Sequence, residues 1–323
     1  MSKQILVLGS INADHVLQLD AFPSPGQTLT GKSYQIMSGG KGANQAVACA
    51  RQGGNTRMLA AMGDDELGTN ISEQLSEEGV DATNIKTIDD METGVALIFV
   101  NRDGENMIGL ATGANHYCDE HYVAQNHELI AQSDYLLLQQ EIPEGTVEYA
   151  VDLAANHQTI VVLNPAPARD ISTSLLNNVD IITPNQTEAE YLTGVTVTDL
   201  DSATAAASVL HNKGVQEVVI TMGKLGAYIS SAQREYPQGL LIPGFPVKAV
   251  DATAAGDTFN GTLVASLATG ASLADAAFFA NASAALSVMR SGSQSSIPYQ
   301  FEVETFLQSD HEIQKAALHD QKL

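Results

Sequence analysis

Residues 251–259 read DATAAGDTF, in which a turn of small residues leads into an apolar helix predicted over residues 256–268. The backbone N–H groups at such a helix start lack intrahelical acceptors and carry partial positive charge, so they can hold an anion. A carboxylate at Asp257 could accept the proton of a hydroxyl group that attacks a bound phosphoryl group. The stretch therefore indicates phosphoryl transfer to a small alcohol. Alternatively, Asp257 only stabilises the helix dipole and the small residues only permit close packing.

On either side of this stretch, short β-branched or leucine-rich segments alternate with helical patterns. The predicted buried strands are residues 4–8, 56–61, 134–138, 159–163, 179–183 and 217–221. The predicted helices are residues 42–51, 65–78, 119–132, 145–156, 188–192, 203–212 and 256–268. This alternation predicts an α/β fold with a central, mostly parallel sheet covered by helices on both faces. In such a sheet, ligands bind beyond the carboxyl ends of the strands.

Two regions, residues 10–38 and 85–110, interrupt the alternation and carry no convincing helix. The second contains apolar segments at 94–100 and 106–110 on either side of a turn at 101–104. We expect both regions to form hairpins of a small β-sheet lid over the substrate site. The chain is thus predicted to fold as one domain over residues 1–308, followed by a polar tail over 309–323.

The composition excludes several function classes. With 38 acidic and 15 basic residues, the formal net charge of −23 disfavours binding to nucleic acid or to an anionic membrane. Any phosphate site must therefore be local, built from backbone amides and a few cations. Two cysteines offer neither a disulfide framework nor metal-ligand spacing, and a strand predicted directly after the start leaves no room for a signal peptide. We expect a cytoplasmic protein with no membrane span.

One motif match is rejected on its context. Residues 26–33, GQTLTGKS, satisfy the P-loop pattern. A P-loop follows a buried strand and opens a helix, whereas this stretch follows FPSP and runs into YQIM. It is better assigned to the lid.

Polar residues and glycines occur where ligands would approach the sheet edge. Residues 38–46, SGGKGANQA, combine glycines that admit a ligand with the polar side chains of Lys41 and Asn44, although a simple helix start explains them equally well. Asn12 and Asp14 follow the first strand and could bind sugar hydroxyls or form a turn. Glu141 follows another strand, where it could bind sugar hydroxyls or equally lie at a solvated helix start before Pro143.

Further along the chain, Asn185 and Glu188 lie at a strand-to-helix junction. They could form a capping box, or lie near a nucleotide phosphate and the hydration shell of Mg²⁺ respectively. Residues 221–226, TMGKLG, form another glycine turn at a strand end, which a hairpin could use as readily as a nucleotide.

Together these segments resemble the ribokinase family of carbohydrate kinases over residues 4–307. The most specific carriers of the resemblance are residues 39–44 (GGKGAN) and 251–261 (DATAAGDTFNG). Residues 10–14 (SINAD), 164–168 (NPAPA) and 183–185 (TPN) support them. Two long signatures in the correct order make chance similarity very improbable.

The resemblance implies ATP-dependent phosphorylation of D-ribose at its 5-hydroxyl, with Mg²⁺ bound alongside the substrates and K⁺ as an activator. It implies that Asp257 is the general base and that Ala254, Ala255, Gly256 and Asp257 supply the anion hole. The implied ribose contacts are Asn12, Asp14, Gly40, Lys41, Gly42, Asn44, Glu141 and Asp257. The implied nucleotide contacts are Asn185, Thr221, Gly223, Lys224, Gly226, Gly256 and Asn281, with Glu188 near Mg²⁺. The implied ligands of the monovalent cation are Asp251, Thr253, Ser287, Arg290, Gly292 and Ser296.

Members of this family often dimerise through their lids, which predicts a homodimer joined by the lid strands. The chain departs from the family pattern at Ala252, where threonine is frequent, and the tail matches no family role. Two alternatives stay open: another sugar or nucleoside kinase of the same family, and a non-catalytic sugar-binding regulator. The ribose contacts argue against the first alternative, and the joint presence of Asp257 and the anion hole argues against the second.

Overall fold

The computed structural model describes residues 3–102, 104–232 and 236–309, whose strands form a nine-stranded and a four-stranded sheet. The strands are β1 (Gln4–Leu8), β2 (Asn12–Gln18), β3 (Ser33–Gly39), β4 (Asn55–Gly63), β5 (Asp81–Ile88), β6 (Gly94–Val100), β7 (Asn106–Ala111), β8 (Tyr135–Leu138), β9 (Ile160–Leu163), β10 (Ile181–Ile182), β11 (Glu217–Thr221), β12 (Gly226–Ser231) and β13 (Leu240–Pro243).

The α-helices are α1 (Lys41–Arg51), α2 (Glu66–Glu77), α3 (Glu120–Gln125), α4 (His127–Gln132), α5 (Glu144–Ala155), α6 (Thr173–Leu176), α7 (Gln186–Thr193), α8 (Leu200–Asn212), α9 (Ala255–Ala268), α10 (Leu273–Val288) and α11 (Gln300–Gln308). Short 3-10 turns occupy Gly113–Tyr117, Gly223–Leu225 and Gln294–Ser296. Within the described ranges, none of the helices is long and apolar enough to cross a membrane.

The large sheet has the order β13-β12-β11-β10-β9-β8-β1-β4-β5, and only β12 and β13, at one edge, run antiparallel to their neighbours. Strand β1 shows why both faces are covered. Its alternate residues Ile5 and Val7 pack into a core with α1, α9 and α10, while Leu6 and Leu8 pack into a second core with α5 and α8. The α/β fold predicted from the sequence is confirmed.

The small sheet has the order β3-β2-β6-β7, in which the outer pairs are antiparallel and the central pair, β2 with β6, is parallel. All four strands come from the two regions predicted to lack helices. The register places Asn12, Asp14 and Val16 of β2 on one face, and Ala13, His15 and Leu17 on the other. The P-loop-like stretch 26–33 connects β2 to β3 and is followed by a strand, as its context predicted.

Several boundaries differ from the predictions. Residues 85–88, assigned to the lid, belong to edge strand β5 of the large sheet. The single helix predicted over 119–132 is two short helices that meet at Asn126, whose φ of −112° departs from helical geometry. Two predictions fall partly outside the described residues. Residue 103 of the turn predicted at 101–104 is not described, and neither are residues 310–323 of the tail predicted over 309–323.

Candidate active site

The start of α9 has the geometry that an anion site needs. Ala254, just before the helix, adopts a left-handed conformation with φ 57°, which is uncommon for a residue with a Cβ atom. The first helical hydrogen bond runs from the Thr258 N–H to the Ala254 carbonyl at 2.8 Å, so the N–H groups of Gly256 and Asp257 precede the regular ladder. A Cβ atom at Gly256 would meet no other atom within 4 Å, so open space lies beside it.

This helix start borders a cavity of about 200 Å³. Its walls bring together residues from both predicted signatures and from the strand ends, namely Lys41, Asn164, Thr183, Asn185, Glu188, Thr221, Ala254, Ala255, Gly256 and Asp257. A cavity with a helix N-terminus, one lysine and hydroxyl and amide side chains suits a phosphoryl group.

Asp257 is only 7% exposed, and each of its carboxylate oxygens accepts a hydrogen bond from α1. Asn44 Nδ2 donates to Oδ2 at 3.0 Å, and Gln45 Nε2 donates to Oδ1 at 2.9 Å. Two amide donors fix the carboxylate in place without adding a charge beside it. Each oxygen keeps a further lone pair, so the group can still accept a proton from a ligand.

Gln45 lies within the predicted stretch 38–46 but had no predicted role of its own. Its amide oxygen accepts from Gln139 Nε2 at 2.7 Å, and its Nε2 donates to Asn164 Oδ1 at 3.0 Å as well as to Asp257. Gln45 is completely buried in a helix of small residues. A long polar side chain in such a helix was the one available signal, since buried polar groups need partners.

A second polar cluster lies where the four-stranded sheet meets the large sheet. The Glu141 carboxylate accepts from Ser10 Oγ at 2.6 Å, from the Lys41 backbone N–H at 3.0 Å and from Asn12 Nδ2 at 3.5 Å. Asn12 Oδ1 in turn accepts from Asn115 Nδ2 at 2.8 Å. Residues at the carboxyl ends of β1 and β8 therefore meet the glycine-rich start of α1, as the parallel sheet predicts.

The same cluster contains an electrostatic conflict. The pKa of Asp14 is raised from its ordinary 3.8 to about 7, mainly by burial and then by the nearby carboxylates of Glu141 and Asp257, while Lys41 acts in the opposite direction. Burial also opposes the charge on Lys41, but the carboxylates of Asp257, Glu141, Glu188 and Asp14 outweigh it and raise the pKa of the ammonium group. This one lysine therefore partly neutralises all four carboxylates.

Glycines let the chain pass close to this cluster. A Cβ atom at Gly39 would overlap the Asp14 carboxylate, and one at Gly42 would overlap the backbone at Gly9. Gly40 has φ 90°, a conformation that favours glycine, and a Cβ atom there would press on the Asn12 backbone. The GGKG sequence thus allows α1 to start against the ends of β1 and β2.

Asn185 and Glu188 do form a capping box at the start of α7. Asn185 Oδ1 accepts from the Glu188 N–H at 2.9 Å, and both Glu188 carboxylate oxygens accept from Asn185, at 2.8 and 2.9 Å. The pKa of Glu188 is raised, because the effect of burial exceeds the lowering by the Asn185 N–H hydrogen bond and by the charge of Lys41. The cap does not exclude a role near a metal, because Glu188 also borders the cavity beside Asp257.

The other predicted nucleotide contacts lie at the adjoining sheet edge. Thr221 bridges to Asn185, and Gly223 and Gly226 adopt positive φ values of 55° and 103° around Lys224 in the turn from β11 to β12. Asn281 of α10 donates through Nδ2 to the carbonyls of Ile242 and Pro243, at 3.1 and 3.2 Å. Its amide nitrogen therefore holds the end of β13, which leaves the amide oxygen as its acceptor for a ligand.

The residues predicted to bind a monovalent cation lie on two adjacent loops, before α9 and after α10. Asp251 joins them, because its Oδ1 accepts from the Thr253 N–H at 2.9 Å and its Oδ2 from the Gly292 N–H at 3.0 Å. Ser287 Oγ and Ser296 Oγ are buried and hydrogen-bonded at 3.0 Å. Arg290 pairs with Glu302 at 2.6 Å through its side chain.

Among residues 3–102, 104–232 and 236–309, no group of three or more His, Cys, Asp or Glu side chains is placed to hold a metal ion. The hydrogen-bonding groups around Glu141 and Asn12, together with the start of α9, can place a polyhydroxylated ligand beside Asp257 with a phosphate group at the helix start.

Comparisons with known proteins agree with this chemistry. The model of the pfkB family of carbohydrate kinases matches residues 2–300. A ribokinase from Haemophilus influenzae is 49% identical over 308 residues, which are 95% of this chain and 99% of that protein. Among solved structures, a ribokinase from Arabidopsis thaliana complexed with ribose and ATP is 29% identical with a TM-score of 0.88, covering 95% of this chain and 99% of its own. A ribokinase from Thermotoga maritima is 35% identical with a TM-score of 0.86, covering 95% of this chain and 100% of its own.

Proposed function

The chain belongs to the pfkB family of carbohydrate kinases, and on that basis we propose that it transfers a phosphoryl group from ATP to the 5-hydroxyl of D-ribose. The observation that carries this proposal is the position of Asp257. Its carboxylate lies in the first turn of α9 at the cavity of about 200 Å³, and Asn44 and Gln45 of α1 hold it beside the polar cluster around Glu141. The high identity to a ribokinase along nearly the whole chain supports ribose as the acceptor.

In the proposed reaction, Asp257 accepts the proton of the 5-hydroxyl as the oxygen attacks the terminal phosphorus of ATP. The bond from that phosphorus to its bridging oxygen breaks, and ADP leaves. The N–H groups at the start of α9 stabilise the charge on the transferred group, and Lys41 adds a positive charge at the same cavity. Asn12, Asp14 and Glu141 hold the sugar hydroxyls.

Magnesium belongs to the proposal as a partner of ATP. Glu188 fits an indirect role, because Asn185 already occupies both of its carboxylate oxygens and a metal-bound water could still reach them from the cavity. When bound, Mg²⁺ would neutralise phosphate charge.

Activation by K⁺ is the second part of the proposal. The carboxylate of Asp251 and the backbone carbonyls of the two loops around it are hard oxygen donors of the kind that alkali cations prefer. A cation there would stabilise the loop that leads into Ala254, and so the anion hole.

We further propose that the four-stranded sheet acts as a lid and that two copies associate through its outer face. Ile108 and Leu110, about half-exposed on the inner face, would then cover the sugar. A cytoplasmic location is part of the proposal because ATP is consumed there, and the free, buried thiols of Cys49 and Cys118 suit a reducing compartment.

Substrate-dependent ATP consumption tests the proposed function. The purified protein is assayed in Mg²⁺ and K⁺ with D-ribose, 2-deoxy-D-ribose, D-fructose, adenosine or no acceptor, and the product is identified by NMR. We expect ribose to give the highest kcat/KM, with phosphate on C5. Preference for another acceptor would support kinase activity but reject ribose as the substrate. If no acceptor stimulates ATP consumption, the non-catalytic sugar-binding protein is favoured.

A further inference from the structure

The two oxygens of Asp257 are not held equally firmly. Oδ1 is held by Gln45, whose amide is fixed at both ends by Gln139 and Asn164. Oδ2 is held by Asn44, whose amide oxygen accepts one hydrogen bond, from Ser293 Oγ at 3.3 Å. Ser293 therefore holds the oxygen end of the Asn44 amide.

The orientation of this amide matters because an amide is nearly symmetric in shape but not in hydrogen bonding. If the Asn44 side chain turned over, its oxygen would face the Asp257 carboxylate and two acceptors would oppose each other. The Asp257 carboxylate, which can only accept, selects the state in which the Asn44 NH₂ group faces it, and the Ser293 hydroxyl holds that state in place by donating to the amide oxygen. Asn44 and Ser293 are buried, so bulk water is a poor substitute for this donor.

Ser293 is itself held by its surroundings. It lies in the loop after α10, and its carbonyl accepts from Ser296 Oγ at 2.8 Å. Arg51 attaches the same loop to α1 by donating to the carbonyls of Gln294 and Ile297, at 2.8 and 2.6 Å. Asn44 and Arg51 lie two turns apart on one side of α1, so a single helix face receives the whole loop.

We infer that Ser293 is a positioning residue: it orients the Asn44 amide toward Asp257 and so couples the order of the loop after α10 to the orientation of the proposed base. This inference rests on the proposed function. It adds a second connection between that loop and the active site, separate from the Asp251 contacts at the start of α9.

Kinetics of Ser293→Ala test the coupling. We expect kcat with ribose to fall roughly 3- to 10-fold, the range for one neutral hydrogen bond, while KM for ribose and ATP changes little. Ser293→Thr, which keeps the hydroxyl, should restore much of the rate. Ser283→Ala is the matched control, because Ser283 is equally buried but bonds Thr262 between α9 and α10. It should leave kcat near the original value.

A double-mutant cycle separates positioning from general loosening of the fold. If Ser293 acts through Asn44, then adding Ser293→Ala to Asn44→Ala should cause no further loss of kcat. Additive losses, or equal losses in Ser293→Ala and Ser283→Ala, would overturn the inference.

An NMR measurement that does not depend on catalysis tests the role of Ser293 independently of the proposed function. The side-chain NH₂ signals of Asn44, assigned by their loss in Asn44→Ala, should shift and exchange faster with solvent in Ser293→Ala. Unchanged signals reject the inference even if the protein is a ribose kinase. Inactivity of the unmodified protein on every acceptor would reject the proposed function while this NMR comparison still decides the role of Ser293.

Discussion

At the scale of single residues, Asp257 distinguishes a kinase from a protein that only binds its ligands. We expect Asp257→Asn to lower kcat by about 10²- to 10⁴-fold, the usual contribution of a positioned base, with nucleotide affinity nearly unchanged. The measurement is a coupled assay with ribose, together with calorimetric titration of ATP. Asp275→Asn is the matched control, since Asp275 also lies in the first turn of an apolar helix. If both variants lost activity equally, the two carboxylates would only stabilise their helices.

Asp14 should make sugar use depend on pH. Its pKa of about 7 leaves a large part of the carboxyl groups protonated at neutral pH before sugar binds, and only the charged form accepts hydrogen bonds through both oxygens. We therefore expect kcat/KM for ribose to rise as the pH increases through about 7. Asp14→Asn should lower kcat/KM and remove this rise. An identical pH profile in the variant would assign the rise to another group.

The raised pKa of Asp14 also has a consequence for stability. A carboxyl group that holds its proton more firmly when folded makes the folded state less stable as the pH rises from about 4 to about 7. Asp14→Asn removes this loss, so the sugar-free variant should melt at a higher temperature than the original protein at pH 8. The difference should shrink as the pH falls from about 7 to about 4 and disappear below that, where Asp14 is neutral in both states. Calorimetry across this range tests the prediction, and a constant difference would contradict it.

The positions of the polar residues at the site could be predicted from the sequence more readily than their hydrogen-bond partners. Asn12 and Glu141 were identified because they follow strands whose carboxyl ends must meet at one sheet edge. Gln45 was missed because its function depends on Gln139, Asn164 and Asp257, which are distant in sequence and meet only in the fold. The assigned catalytic and binding roles stay predictions that the experiments above address.

At the scale of secondary-structure elements, most of the parallel strands and the helices between them were predicted, whereas β5, α10 and α11 were not. Helix α9 was recognised from the small-residue turn before it. Helix α10 was missed, because it is apolar on nearly all sides and shows no helical period: it packs against α9, β12 and β13 and lies almost wholly in the core. Strands β12 and β13, the last two at one side of the large sheet, were also missed, since they follow β11 without the intervening helix that marked the parallel strands.

The two loops joined by Asp251 should make turnover depend on the monovalent cation. We expect kcat to fall roughly 10-fold or more when tetramethylammonium replaces K⁺, approaching the effect of losing one anion-hole donor, with smaller changes in KM. Ionic strength is held constant. Asp251→Ala should have low activity in both salts, because the two loops are no longer joined. Equal activity of the original protein in both salts would remove the cation from the proposal.

At the scale of the whole molecule, charge and apolar surface act in opposite directions. A formal net charge of −23 makes two copies repel each other, so association requires a specific apolar surface. The outer face of the lid offers one, with Tyr34, Ile36, Leu97 and Met107 each about half-exposed. The strand register places these residues on the face opposite Asp14. The same sheet can therefore cover the sugar with one face and bind a second copy with the other.

We expect a dimer in sedimentation experiments, and it should tighten as salt increases, because salt screens the repulsion while burial of apolar surface persists. The double variant Ile36→Glu/Leu97→Glu should be monomeric, since it would bury carboxylates at the interface on top of the general repulsion. Leu200→Glu, on α8 and similarly exposed, is the matched control and should stay dimeric. If the original protein sediments as a monomer at micromolar concentration, or if the double variant still dimerises, the lid is not the contact. If the monomeric variant has a raised KM for ribose but an unchanged KM for ATP, the contact between lids helps each lid to cover its own sugar site.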